Sequence, residues 1–208
     1  MTVTRLCPLH LAAALVALLA LSGGACADAP PPDSSALAAS AAKGDAKALG
    51  DLEALAKKGD AMAQFQLGSL YDSGSGVKRD EAETVKWWSK AAAQGNAAIQ
   101  FNLGMLLSNG DAMTPDYPKA AKWLRKAADQ GSIGAQFQLG LLYVHGNGVK
   151  KDPAEAAFWL TVARRQGYVV SPIVLNGAFG DLTPAQKKSV QERAEKWKPA
   201  HHGTPTAP

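Results

Sequence analysis

Cysteine is almost missing from this chain. It occurs twice in 208 residues, as Cys7 and Cys26, and nowhere beyond residue 26. A fold built from the later residues has no disulfide and no thiolate metal site, so packing alone must hold it. Histidine is scarce as well: His10, His145, His201 and His202. Only His145 stands in patterned sequence, and one His with no Cys or second His beside it is not a metal site. Gly-x-Ser-x-Gly and Walker motifs do not occur. An excess of one charge is also lacking, with 22 Lys and Arg against 18 Asp and Glu. The basic residues are scattered and not interleaved with aromatics. The formal charge of +4 is a weak lean toward acidic partners and no nucleic-acid signature. These absences point away from an enzyme, a metal and a cofactor.

Long apolar runs are absent except near the start. Arg5 is followed by residues 9–21, apolar apart from His10. Ser22-Gly23-Gly24 breaks the run, and Ala25-Cys26-Ala27 is an A-x-A cleavage pattern. Residues 1–27 therefore read as a secretory signal peptide, too short for a comfortable membrane span. Cleavage after Ala27 leaves a periplasmic or secreted chain with no integral span. The alternative is a lipoprotein anchored at Cys26, although Gly23 stands where a lipobox carries Leu. Residues 28–35, DAPPPDSS, read as a disordered spacer.

What the chain has is a repeat. Residues 131–166 are GSIGAQFQLGLLYVHGNGVKKDPAEAAFWLTVARRQ. Residues 95–130 are GNAAIQFNLGMLLSNGDAMTPDYPKAAKWLRKAADQ, and residues 59–94 are GDAMAQFQLGSLYDSGSGVKRDEAETVKWWSKAAAQ. The copies align without a gap, and self-similarity at such a period marks a solenoid. Each reads as helix A, loop, helix B. In the first, Ala63, Leu67, Leu70 and Tyr71 form one stripe of helix A. Gly68 lies in that stripe, with Gly104 and Gly140 as counterparts. A mid-helix Gly costs about 1 kcal/mol against Ala, so close approach of the partner helix backbone is expected there. Asp80, Asp116 and Asp152 are helix-B caps, the last followed by Pro153. Trp87, Trp123 and Trp159 form a column expected to give each repeat its large hydrophobic body.

The second copy is degenerate, with Leu107 for Tyr, Ala112 for Gly and Met113-Thr114-Pro115 in the loop. Residues 36–58 read as a shortened capping pair, and residues 167–197 as the C-terminal cap. In the cap, Pro172 replaces Gln136 and delays a helix, and Thr183-Pro184-Ala185-Gln186 is a capping box. Residues 198–208 read as a disordered tail. The packed array thus spans residues 36–197, all-α and with no strand.

Helix A also has an opposite face. It holds Phe65, Gln66, Ser69 and Asp72, then Phe101, Asn102, Met105 and Ser108, then Phe137, Gln138, Leu141 and Val144. The rings could supply apolar area and the amides could pair with a peptide backbone. Equally, the Phe column could stack on itself between repeats.

The stretch AQFQLGLLYVHGNGVKKDPAEAAFWLTVARRQG resembles the Sel1-like repeat, a relative of the tetratricopeptide repeat. The shared features are Leu-Gly-x-x-Tyr, Gly-x-Gly-Val, a capping Asp, then Trp and Ala-Ala. The resemblance implies a right-handed superhelix of antiparallel helix pairs, a scaffold role, and a protein or peptide partner held in the concave groove that the Phe65/Gln66 face would line. A monomer is the expected state. A cysteine-rich branch of that family is associated with penicillin binding or hydrolysis, so a weak β-lactam or cell-wall hydrolase is the alternative. No repeat here carries the cysteines of that branch.

N-terminal sequencing of the exported protein is expected to start at Asp28. Acyl groups found on Cys26 by mass spectrometry would establish the lipoprotein instead.

Overall fold

Each of ten helices begins after Asp, Asn, Ser or Thr, and nine of those side chains accept a backbone N–H of the first turn. Such caps satisfy donors that a helix start leaves free. The computed structural model describes residues 33–110 and 114–200. Its helices are α1 (Ser34–Ala41), α2 (Ala46–Lys57), α3 (Ala61–Ser73), α4 (Glu81–Ala93), α5 (Ala97–Asn109), α6 (Tyr117–Asp129), α7 (Ile133–His145), α8 (Pro153–Arg165), α9 (Pro172–Gly180) and α10 (Pro184–Lys196). No strand occurs among the described residues. Helices A of the three repeats are α3, α5 and α7, and helices B are α4, α6 and α8.

Successive helices from α1 to α9 pack on one another, which makes the array an all-α solenoid. Its core falls into three segments. Leu52, Leu67, Leu70 and Trp87 form the first, Trp88, Ile99, Leu103 and Leu107 the second, and Leu124, Leu139, Trp159, Leu160 and Val190 lie in the third. Each such side chain stabilises by about 1.5–3 kcal/mol when fully buried.

The most regular feature is polar. Gln64, Gln100 and Gln136 are buried on helices A. Their side-chain amides donate to the carbonyls of Ala56, Ala92 and Ala128, near the end of the preceding helix (3.0, 3.0 and 3.3 Å). Their side-chain oxygens accept from Gln94, Gln130 and Gln166, which close their own helices B (3.0, 2.7 and 2.8 Å). One glutamine therefore ties three consecutive helices together. The sequence reading missed this role, although both glutamines recur in all three copies.

Several expectations change. The helix-A glycines do admit a close neighbour, but it is a side chain. A Cβ on Gly104 would lie 2.7 Å from Leu124 Cγ, and one on Gly140 2.8 Å from Leu160 Cγ. In the first repeat the neighbour of Gly68 is the Trp88 ring. The column that fills this notch is thus Trp88, Leu124, Leu160, one residue beyond the expected Trp column. Trp87 and Trp159 are buried, while Trp123 is only half-buried, its ring lying under the Lys126 ammonium (4.6 Å).

The first helix overlaps the range 28–35 expected as spacer. Ser34 and Ser35 belong to α1 because the Asp33 carboxylate caps it. Residue 200, expected in the tail, is instead tied to the array, its Ala200 N–H donating to the Asp129 carbonyl (2.7 Å). α9 begins at Pro172, three residues later than α7 in the repeat frame. The leader, Cys26, Ala112, Met113 and His201-His202 lie outside the described residues.

Gly104→Ala is expected to lower stability by about 1–3 kcal/mol through overpacking. Gly50, exposed in α2 with open space around it, is expected to gain about 0.5–1 kcal/mol as Ala. Urea unfolding of the two variants measures both. Trp159→Ala should cost about 3–5 kcal/mol and Trp123→Ala only about 1–2, in line with its partial burial.

Candidate functional site

The helix-A face is the surface to which the sequence points, and the structure leaves it half-buried throughout. Phe65, Gln66, Ser69, Asp72, Phe101, Asn102, Met105, Phe137, Gln138, Leu141 and Val144 are neither core nor fully solvated. Helices α3, α5 and α7 touch one another only marginally, because a helix B stands between each pair.

The phenylalanines bridge outward from this face. Phe101 lies against Gly134 at the start of α7, where an added Cβ would be 3.0 Å from the ring. Phe137 stacks on Tyr168 (4.5 Å between centroids, 26°), beyond the end of α8. Phe65 instead stacks on Trp88 of its own repeat (5.4 Å, 27°), whose indole N–H donates to the Phe65 carbonyl (3.1 Å). Successive phenylalanines form no ring pair among the described residues. The column therefore packs between elements without stacking on itself.

The amides behave differently. Gln66 makes one long contact to Ser35 Oγ (3.5 Å). Asn102 and Gln138 have no side-chain partner within the described residues. Two half-exposed amides, 36 residues apart, are thus free to pair outward. Ser69 and Ser108 hydroxyls are engaged with the carbonyls of Phe65 and Gly104 (2.9 Å each).

The other conspicuous residues are structural. Asp80, Asp116 and Asp152 cap α4, α6 and α8. Hydrogen bonds from the Lys119 side chain and backbone hold the Asp116 carboxyl below its usual range. Burial pushes the Tyr71 phenol up. His145 is exposed at the end of α7. No group of three or more His, Cys, Asp or Glu is placed to hold a metal among the described residues. Two Ser-x-x-Lys spacings, Ser40–Lys43 and Ser75–Lys78, escaped the sequence reading. Neither serine hydroxyl bonds its lysine, and Ser75 Oγ instead accepts from Ser73 (2.9 Å).

One cluster distinguishes the third repeat. In the first, Trp87 donates its indole N–H to Glu83 (3.0 Å). The counterpart of Glu83 is Glu155, which accepts from Arg193 of α10 (2.6 Å) and lies 3.8 Å from Arg125. Trp159 Nε1 is left buried without a partner among the described residues. The Arg125 guanidinium lies 5.1 Å from the Trp159 ring centre and donates to the Tyr143 hydroxyl. This carboxylate therefore docks the capping helix. Among the described residues no helix is long and apolar enough to cross a membrane.

Residues 61–96, 97–132 and 133–168 each match the Sel1 repeat. The period equals that read from the sequence, with boundaries two residues later. A solved Sel1 repeat protein from Oxalobacter formigenes is similar at 29% identity and a TM-score of 0.59, covering 79% of this chain and 73% of that one. A protective antigen of uropathogenic Escherichia coli strains, displaying an SLR fold, is similar at 27% identity and a TM-score of 0.45. That match covers 78% of this chain and 45% of that one. No match was found among curated proteins.

Proposed function

Because the chain belongs to the Sel1 repeat family, we propose that it is an exported scaffold that holds a protein or extended peptide against the helix-A face. The observation that carries this is the pair of partner-free amides, Asn102 and Gln138, in register with Gln66 and beside the half-buried Phe column. An amide offers both a donor and an acceptor, which is what an extended backbone needs from its neighbour. The 36-residue spacing repeats that offer along the array. The signal-peptide pattern of residues 1–27 supports export. The proposal assigns binding and no catalysis.

The test compares mature protein with a Gln66→Ala, Asn102→Ala, Gln138→Ala variant as bait in periplasmic extract, with bound proteins quantified by mass spectrometry. A partner enriched on the parent protein should fall at least tenfold on the variant. The variant's melting temperature should stay within about 2 °C, since half-exposed polar truncations cost little. Equal capture by both baits rejects this face as the binding surface.

A further inference from the structure

The regular packing stops at the last helix pair. α3 and α4, α5 and α6, and α7 and α8 pack closely, but α9 and α10 each pack on α8 and hardly touch one another. The notch between them is a cleft of about 300 Å³, at the small end of ligand pockets. Val170, Leu175 and Phe179 supply its apolar part.

One group in its polar lining stands apart. Thr161, Arg164, Asn176 and Gln191 line this cleft, and none of these side chains has a hydrogen-bond or ion-pair partner among the described residues; Arg164, Asn176 and Gln191 are exposed to solvent, whereas Thr161 is buried. Thr161 is only 5% exposed, and its hydroxyl is one of three buried side-chain atoms left unpaired among the described residues. Such a group destabilises a fold unless something completes it. Among the described residues no acid lines the cleft, and Arg164 is its only charge. A guanidinium keeps its charge and presents parallel N–H donors that match a carboxylate. The two amides and the hydroxyl can add further donors. One fixed positive charge calls for one negative charge, and the apolar lining calls for an aliphatic group next to it.

We propose that the cleft between α9 and α10 binds a carboxylate carried on an apolar residue, as at the free C-terminus of a peptide. The carboxylate meets Arg164 and Thr161, and the last side chain lies on Leu175 and Phe179. Val169 and Ile173 flank this lining in sequence and are 91% and 82% exposed. They offer apolar surface to the residues upstream. The site is separate from the helix-A face, so each can fail alone.

Titration of the mature chain with acetyl-Gly-Gly-Ala-Leu, followed by amide chemical shifts, tests this. The free acid should bind at least tenfold more tightly than its carboxamide twin. Arg164→Gln should lose at least tenfold in affinity, while Arg165→Gln, equally exposed but outside the cleft lining, stays unchanged. Thr161→Val should weaken binding several-fold without lowering the melting temperature, because it removes an unpaired hydroxyl and keeps the shape. The Asn102→Ala, Gln138→Ala variant should bind as the parent does. N-acetyl-leucine competing as well as the peptide identifies a small carboxylic acid as the source of the same carboxylate. Weaker competition identifies a peptide terminus. Equal binding of acid and amide overturns the proposal. So do equal losses in Arg164→Gln and Arg165→Gln, unaltered binding in Thr161→Val, and no binding at millimolar peptide.

Discussion

The structure depends on a buried amide whose nitrogen and oxygen are both paired. Gln100 shows the constraint most simply. It is 3% exposed, donates to one helix end and accepts from another. Each neutral hydrogen bond adds only about 1 kcal/mol net, yet a buried amide without partners costs about 1–3. The asymmetry makes register, more than stability, the product of the contact. A helix A that slid or rotated would keep much of its apolar burial but would strand its glutamine. The surrounding Ala91, Ala92, Ala127 and Ala128 let the helices come near enough for the amides to meet. Small side chains and long amides are therefore one device.

The ends of the array show what happens when that device is missing. In the repeat frame Pro172 takes the place of Gln136, and Pro has no amide to offer. α9 starts late and α10 docks on α8 through a different contact, the Arg193–Glu155 pair. That diversion leaves the Trp159 indole N–H unpaired in the core. Terminal units of a solenoid have only one neighbour and are expected to be atypical. Here the atypical contact can be traced to single residues.

Much of the fold was legible because its determinants are local. Asp80, Asp116 and Asp152 mark helix starts by chemistry that needs no tertiary contact, and Thr183 with Gln186 forms the capping box that their spacing implies. The period placed every full repeat. What escaped was set by direction in space. Trp87 and Trp88 are adjacent in sequence, and only the packed structure shows that Trp88 fills the notch at Gly68. The same one-residue offset leaves Trp123 half-buried while Leu124 is 1% exposed. The pairing of Gln64 with Gln94 joins residues 30 apart, and no local pattern marks it. Recurrence in all three copies was the available signal, since a solvated position has no reason to keep one residue type. On the candidate site, the face was legible but the division of labour was not. Phe101 and Phe137 are turned toward neighbouring elements, whereas Asn102 and Gln138 remain open.

The glutamine pairs also bear on how such a chain can change its length. Each pair joins residues 30 apart, and each link to the previous helix joins residues 8 apart. Both separations fit within a 36-residue frame whatever copy they start from. An in-frame duplication of one unit would therefore arrive with its own donors and acceptors already matched to both neighbours. Growth by duplication is open inside the array and closed past residue 167, where Pro172 cannot receive another unit. The chain carries a stop for its own extension, written in one residue.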